Sequence, residues 1–280
     1  MNTTAVVTTG QDFEYRDQMA ATWDLFRGDT SNWEDRFLFL EVIRKYGQPA
    51  LDVGCGTGRL LLDFLSQGID IDGVDISPEM LALCHQKAAK LGLKPNTFQQ
   101  RMESLDLPRK YQTIIVPSSS FQLLTDPGLA AEAMGRFFAY LLPGGTLAMP
   151  FMDIWDDGSP TETEWAPRGE KVRPEDGATV RRWSRAWYDL ANQLEHTEDR
   201  YEVTLNGEVI ASELHRRSPA TRWYTRDQVI RLYRQAGLTD IQFFKFDAVI
   251  APALKDDKTY LAVGRFLWKE DESADSERRL

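Results

Sequence analysis

The stretch ALDVGCGTGRLLLDF, residues 50–64, places glycines at positions 54, 56 and 58 directly after a short apolar run. A segment with the apolar spacing of a helix follows them. A glycine-rich turn between a strand and a helix lets the backbone approach a ligand closely, and the first N–H groups of the helix then face an anionic group of that ligand. The stretch therefore predicts a ligand site at the junction of a strand and a helix.

Around this turn, predicted strands alternate with predicted helices. Apolar runs separated by segments of about ten or more residues with helical spacing are typical of a parallel α/β sheet with helices on both faces. The predicted strands are residues 50–54, 70–75, 96–100, 112–117 and 145–151, and the predicted helices are residues 57–67, 78–91 and 127–141. We therefore expect an α/β protein.

The chain divides into a core and an inserted segment. Residues 1–12 are polar and rich in Thr, and we expect them to be loose. The predicted units are an N-terminal helical lid at 1–46, an α/β core at 47–154 and 222–268, an antiparallel β insertion at 155–221 and a disordered tail at 269–280. The insertion is expected to lie on the side where a substrate binds.

The insertion and the segment after it have patterns of their own. The stretch 153–177 is rich in Pro, Gly and acidic residues, so we interpret it as a loop or lid. Three strands are predicted next, at 179–190, 194–205 and 208–217, and Asn206-Gly207 between the last two is a hairpin signal. A helix capped by Thr225 and strands at 240–247 and 259–267 would complete the first sheet, with its last two strands antiparallel.

Charge and cysteine content exclude several partners and compartments. The net charge of −10 repels nucleic acid and anionic membranes. Cys55 and Cys84 are too few for a disulfide framework and fit a reducing compartment. The first residues lack the basic and apolar regions of a signal peptide, and no apolar run approaches the ~20 residues that span a bilayer. We expect a cytoplasmic protein without nucleic-acid or membrane partners; its oligomeric state stays open.

Two classes of cofactor use a glycine turn of this kind, dinucleotides and S-adenosylmethionine. The spacing here is Gly-x-Gly-x-Gly, whereas the dinucleotide fingerprint is Gly-x-Gly-x-x-Gly. Asp75 ends the next predicted strand, where a carboxylate accepts hydrogen bonds from ribose hydroxyls in both classes. The spacing and the acid predict a ribose-containing cofactor without choosing between them.

Three stretches in register carry a family resemblance. ALDVGCGTG, GVDISPEML and FFAYLLPGGTLAM occur in this order, and together they resemble the class I S-adenosylmethionine-dependent methyltransferases. The resemblance covers residues 45–152 closely and residues 222–267 more loosely, and it implies a Rossmann-like sheet, S-adenosylmethionine as cofactor and methyl transfer. The alternatives are a nicotinamide-dependent oxidoreductase and a non-catalytic protein that binds S-adenosylmethionine.

The resemblance assigns the methionine end of the cofactor to the first stretch and the ribose to the second. Asp52 would bind the methionyl amino group, and Asp75 would bind the ribose. The loop facing the carboxylate would consist of Gly54, Cys55, Gly56 and Gly58. Cys55 is expected to be a small spacer and not a nucleophile, because no second Cys or nearby His in the sequence suggests activation.

The adenine end departs from the family pattern. Ile76 and Met80 would lie beside the adenine. The family usually has an acidic residue after the third strand, but here Arg101 stands in its place, and a guanidinium cannot accept from an amino group. The adenine contact is therefore expected to shift to backbone, Met102 or Glu103.

The segment before the core resembles, more faintly, the entry segment of the glycine N-methyltransferases. The stretch is ATWDLFRGDTSNWEDRF. In that family a Tyr, a Trp and an Arg near the N-terminus close over the cofactor, and Tyr15 and Trp23 fit the two aromatic positions. The basic position falls near Trp33, which leaves Arg36 as a candidate for it.

The acceptor side offers few groups to choose between. Ser118 follows the fourth strand, at the sheet edge where ligands of α/β proteins bind, and could contact either the cofactor or an acceptor. His196 and His215 on the insertion are the weak candidates for a general base, and no catalytic residue is assigned. No His/Cys/Asp cluster has the spacing of a metal site. We expect a small-molecule acceptor, with nitrogen slightly favoured over oxygen.

Overall fold

Two β-sheets and the helices packed on them make up the chain. The structure is a computed structural model that describes residues 6–8, 15–247 and 251–267. The predicted disordered tail, residues 269–280, lies outside the described residues. In chain order the helices are α1 (Asp17–Ala21), α2 (Trp23–Arg27), α3 (Glu34–Tyr46), α4 (Arg59–Ser66), α5 (Pro78–Leu91), α6 (Pro127–Tyr140) and α7 (Arg226–Gln235). Among the described residues, no helix has the length and apolar content needed to span a bilayer.

The larger sheet has seven strands and carries the glycine turn. It is built from β2 (Ala50–Val53), β3 (Ile71–Asp75), β4 (Asn96–Gln99), β5 (Tyr111–Ile115), β6 (Leu141–Met152), β11 (Thr239–Lys245) and β12 (Thr259–Arg265). The strand order is β11-β12-β6-β5-β2-β3-β4; β12 is antiparallel to both neighbours and the other pairs are parallel. The α/β fold and the antiparallel last strands are confirmed.

Helices cover both faces of this sheet, and the side chains of each buried strand point alternately to one face and the other. On β5, Ile114 belongs to the apolar cluster under α6 and α7, and its neighbour Ile115 belongs to the cluster under α3, α4 and α5. Both side chains are fully buried. Alternation of this kind fixes the register of each strand and holds the carboxyl ends of β2, β3 and β5 side by side.

The second sheet is formed by the insertion. Its order is β1-β10-β9-β8-β7, with β1 (Val6–Thr8), β7 (Ala166–Val172), β8 (Thr179–Asp189), β9 (Leu194–Leu205) and β10 (Glu208–Arg222). The predicted antiparallel insertion is present. The interpretation of residues 153–177 as a loop is wrong for β7, which is an exposed edge strand with the Glu170 carboxylate paired to Arg181 of β8. The strand contains Pro and Gly, which usually indicate a loop but are tolerated in an edge strand, so the sequence pattern did not predict it.

The N-terminal segment joins the two sheets. Residues 6–8, expected to be loose, form β1 and pair in parallel with residues 213–215 of β10. Further along, the Ser77 Oγ of the core donates to the Tyr15 carbonyl oxygen at 2.6 Å, and the Gln18 N–H donates to the Glu213 carboxylate of β10 at 3.0 Å. Phe26 of α2 packs against the apolar cluster of the insertion. Residues 15–27 therefore lie against both sheets at once.

Candidate active site

A cleft opens at the carboxyl ends of β2, β3 and β5, where the order of the sheet reverses and α/β proteins bind ligands. Three parts of the chain line it: the core, the N-terminal segment and β10. Lining residues of the core include Asp52, Gly54, Cys55, Gly56, Asp75, Ile76, Met80, Met102, Glu103 and Ser118; the N-terminal segment contributes Tyr15, Trp23 and Arg27, and β10 contributes Arg217. Of the predicted cofactor residues, Gly58 is the one that does not line the cleft.

The first two glycines keep the loop thin where it borders the cleft. Gly54 has φ +76°, and a Cβ there would lie 2.8 Å from the Ser120 hydroxyl. Gly56 has φ +55°, and its N–H donates to the Asp75 carboxylate at 2.8 Å. Both positions are in the left-handed region that glycine adopts without strain. The loop thus passes close to the neighbouring strands and leaves its cleft side open for a ligand.

Gly58 acts in packing. It precedes the first residue of α4 with φ +83°, and a Cβ there would lie 2.6 Å from the Cys84 sulfur and 2.8 Å from Leu62 Cγ. The third glycine of the motif therefore lets α4 start close to α5. The sequence pattern could not distinguish this role from contact with the cofactor.

Asp75 ties the glycine loop to the second strand. One carboxylate oxygen accepts from the Gly56 N–H and the other from the Ser77 N–H, both at 2.8 Å. The side chain is buried, and desolvation raises its pKa against the opposing effect of these two N–H donors. Each oxygen still has a lone pair for a further donor, so the carboxylate can accept from a ribose diol in the cleft.

Asp52 is a buried carboxylate without a hydrogen-bond partner for Oδ1 among the described residues. Desolvation raises its pKa to about 7, partly opposed by the positive charge of Arg59. A buried acceptor that is left unpaired is costly, so a site of this kind is completed by a cationic or hydrogen-bonding ligand. The ammonium group of a methionyl ligand fits that requirement.

The residues predicted near the adenine line the same cleft. Among them are Ile76 and Met80, and Met80 is almost fully buried. Met102 and Glu103 line it too, from a short 3-10 helix after β4. The buried Glu103 carboxylate accepts from Arg101 Nε. A buried acid thus lies two residues after Arg101 and is paired with it.

Aromatic side chains of the N-terminal segment line the cleft as well. The Tyr15 and Trp23 rings meet edge to face with centroids 4.7 Å apart, and both line the cleft. Arg36, the candidate for the basic position, forms a two-bond ion pair with Asp63 and does not line the cleft. Arg27 lines it instead, with its guanidinium carbon 4.0 Å from the centroid of Trp23. No sequence motif singled out Arg27.

Of the three candidate residues on the acceptor side, one lines the cleft and two do not. Ser118 lines the cleft with φ +57°, an uncommon backbone conformation for a serine. His196 stacks on Trp187 and bonds the Ser218 hydroxyl at 2.8 Å, and it does not line the cleft. His215 is buried against Glu213, away from the cleft lining. Of the three weak candidates, Ser118 is the residue that an acceptor in this cleft could touch.

Both cysteines should resist alkylation in the folded protein. Cys55 and Cys84 are free and buried, and desolvation raises the pKa of Cys55 well above its ordinary value and that of Cys84 to about 11. Thiolate is the reactive form, so iodoacetamide at mildly alkaline pH should label neither residue in the native protein and both after denaturation, as read by intact-mass spectrometry. Rapid native labelling of either one would contradict the packing around the glycine loop.

Comparison with known proteins agrees with the fold. Residues 50–145 match the family model described as methyltransferase domain. A glycine/sarcosine N-methyltransferase of Halorhodospira halochloris is 29% identical over 170 residues, 57% of this chain and 62% of the relative. A dTDP-3-amino-3,6-dideoxy-alpha-D-glucopyranose N,N-dimethyltransferase of Streptomyces fradiae is 24% identical over 246 residues, 83% of this chain and 88% of the relative.

Solved structures with the same fold include a sugar N-methyltransferase from a Streptoalloteichus species. It superposes with a TM-score of 0.70 at 21% identity, covering 96% of this chain and 99% of the other. At this identity the likeness concerns the fold.

The chain matches only part of the length of two curated relatives: 62% of the glycine/sarcosine N-methyltransferase and 44% of a methyltransferase of a Geobacillus species. Residues 50–145 thus match a methyltransferase domain, and the chain shares its fold with an S-adenosylmethionine-dependent methyltransferase of known structure.

Proposed function

We propose that the whole chain is an S-adenosylmethionine-dependent methyltransferase that methylates a nitrogen atom of a small molecule. The observation that carries the proposal is the set of groups that line the cleft. They are the Asp52 carboxylate, whose buried Oδ1 has no partner among the described residues, the glycine loop, and the Asp75 carboxylate, which accepts from two N–H donors. Asp52 would hold the methionyl ammonium group, and Asp75 would accept from the ribose hydroxyls. Met80, Met102 and Glu103 would enclose the adenine.

The bound cofactor supplies an activated methyl group on a sulfonium, so the protein's task is to position the acceptor in line and keep water out. Tyr15 and Trp23 line the cleft, and their segment is hydrogen-bonded to both sheets. This supports a lid role for residues 15–27. By contrast, α3 packs on the larger sheet through Leu38 and Phe39 and belongs to the core.

The choice of nitrogen rests on the groups that the cleft lacks. Among the described residues, none of the histidines lines it, and the carboxylates that do, Asp52, Asp75 and Glu103, are the ones assigned to the cofactor. An amine acceptor that is deprotonated in solution needs no base, whereas a hydroxyl acceptor gains much more from one. The names of the two curated relatives, which act on an amino sugar nucleotide and on glycine or sarcosine, also favour an amine.

The proposed chemistry predicts a simple pH profile. With saturating cofactor, kcat/KM should rise about tenfold per pH unit and level off at the pKa of the acceptor amine, because only the free amine attacks. A series of acceptors with different amine pKa values should shift the inflection accordingly. An inflection near the ordinary pKa of histidine that disappears in His196→Gln or His215→Gln would contradict the prediction and favour an oxygen acceptor.

Transfer of labelled methyl groups from S-adenosylmethionine to a panel of amino sugars, amino acids and phenols tests the activity. Labelling of amines is expected, with Asp75→Ala as the inactive control. Tight binding of S-adenosylhomocysteine without transfer to any class would favour a non-catalytic binding protein. Binding of NADH without binding of S-adenosylhomocysteine would favour an oxidoreductase.

A further inference from the structure

Arg27 has an unusual setting in the cleft. It is the last residue of α2, and its guanidinium carbon lies 4.0 Å from the centroid of Trp23 and 5.3 Å from that of Trp33. Two indole rings thus hold one guanidinium by cation–π contacts, which fix its position but neutralise no charge. The side chain lines the cleft.

No carboxylate contacts the charge of Arg27 directly. Among the described residues, it makes no hydrogen bond and no ion pair with a carboxylate. Burial and the nearby positive charge of Arg59 lower its pKa, and the more distant effects of Tyr15, Asp35 and Asp24 oppose this only in part. The Asp35 carboxylate offsets part of the positive charge in this region, but it already accepts two hydrogen bonds from Arg59. A desolvated cation of this kind calls for an anion from outside the chain.

The other arginines of the cleft are already engaged. Arg101 donates to the Glu103 carboxylate. Arg59 is paired with Asp35, as described above. Arg217, on the opposite wall, has contacts within the protein, including the Ala220 carbonyl oxygen at 3.5 Å. Arg27 is therefore the lining arginine whose donors remain available to a ligand.

We propose that Arg27 binds the methionyl carboxylate of S-adenosylmethionine, clamped in place by Trp23 and Trp33. The inference rests on the proposed function, since that carboxylate is the anionic group of the cofactor. It also accounts for Trp33, which stands near the basic position of the glycine N-methyltransferase entry segment. Arg27 at the end of α2 would supply the positive charge, and the Trp33 indole would hold it in place.

The test compares two ligands that differ at the methionine end. S-adenosylhomocysteine carries the amino-carboxylate group, and methylthioadenosine has only a thiomethyl group there. Arg27→Met keeps an unbranched apolar stem between the indoles but removes the charge. By calorimetry it should weaken S-adenosylhomocysteine binding by about tenfold to a hundredfold, and methylthioadenosine binding by less than about threefold. Arg27→Lys should recover part of the loss, because lysine keeps the charge without the planar fork.

Arg36→Gln is the matched control, because Arg36 lies in the same N-terminal region but pairs with Asp63 away from the cleft. It should leave both affinities unchanged. Equal weakening of both ligands by Arg27→Met would overturn the proposal and assign Arg27 to shaping the cleft. Unchanged affinity for both, with a raised KM for the acceptor, would overturn it in favour of an anion on the acceptor. Wild-type protein that binds neither ligand would instead refute the proposed function.

Discussion

Asp75→Ala is expected to weaken binding of S-adenosylhomocysteine by about a hundredfold. The carboxylate would accept two hydrogen bonds from the ribose, and hydrogen bonds to a charged group contribute about 1.5 kcal/mol or more each. The same carboxylate orients the Gly56 and Ser77 N–H groups, so its loss also loosens the glycine loop. Methylthioadenosine contains the same ribose and should lose affinity by the same factor, unlike its response to Arg27→Met.

Asp70→Ala is the matched control for Asp75→Ala. Asp70 precedes the other end of β3 and pairs with Arg109 far along the strand from the glycine loop. It should leave both affinities unchanged. Thermal unfolding of each variant separates loss of fold from loss of binding. Retention of wild-type affinity in a folded Asp75→Ala protein would exclude this carboxylate as the ribose acceptor.

Cofactor affinity is expected to depend on pH through Asp52. Its pKa is raised to about 7 by burial, so below that pH the cofactor-free protein holds this group protonated. The ligand's ammonium group selects the carboxylate form, so binding must release a proton there. The dissociation constant of S-adenosylhomocysteine should therefore rise by up to about tenfold for each pH unit below about 7, and become constant above it.

Calorimetry in buffers of different ionisation enthalpy would measure both the affinity and the released protons. Asp52→Asn should lower the affinity above pH 7 and remove most of the slope below it. Among the described residues the histidines do not line the cleft, so any contribution they make should survive in the variant. An unchanged slope in Asp52→Asn would assign the pH dependence to another group.

The stability of the cofactor-free protein is expected to change with pH through Asp52 in the direction opposite to the cofactor affinity. The folded-state pKa of Asp52 lies above its unfolded value, so the free energy of unfolding decreases as pH rises from about 4 through about 7. Asp52→Asn should raise the melting temperature of the cofactor-free protein near neutral pH, although the unpaired amide offsets part of the gain. The variant would thus be more stable and bind the cofactor less tightly.

Local pattern was enough to predict the larger sheet. Strand alternation, the glycine turn and the helix caps are properties of neighbouring residues, so residues 50–64 and the two later stretches identified both the fold and the position of the cleft. β7 and β1 were missed for the same reason. An edge strand rich in Pro and Gly, and a three-residue strand, have no strong local signal and exist because a partner strand is present.

The sequence by itself determined the order of the sheet's building blocks and the positions of the glycine turn, Asp52 and Asp75, because these depend on spacing within short segments. The cofactor class was implied by the resemblance of three stretches in register. Only the tertiary structure decided what each group faces. In the structure Gly58 serves helix packing, His196 and His215 do not line the cleft, and the Arg27 guanidinium lies near two indole rings. Such assignments depend on burial and on contacts between distant residues such as Asp35 and Arg59, which fix where a charge is left unbalanced.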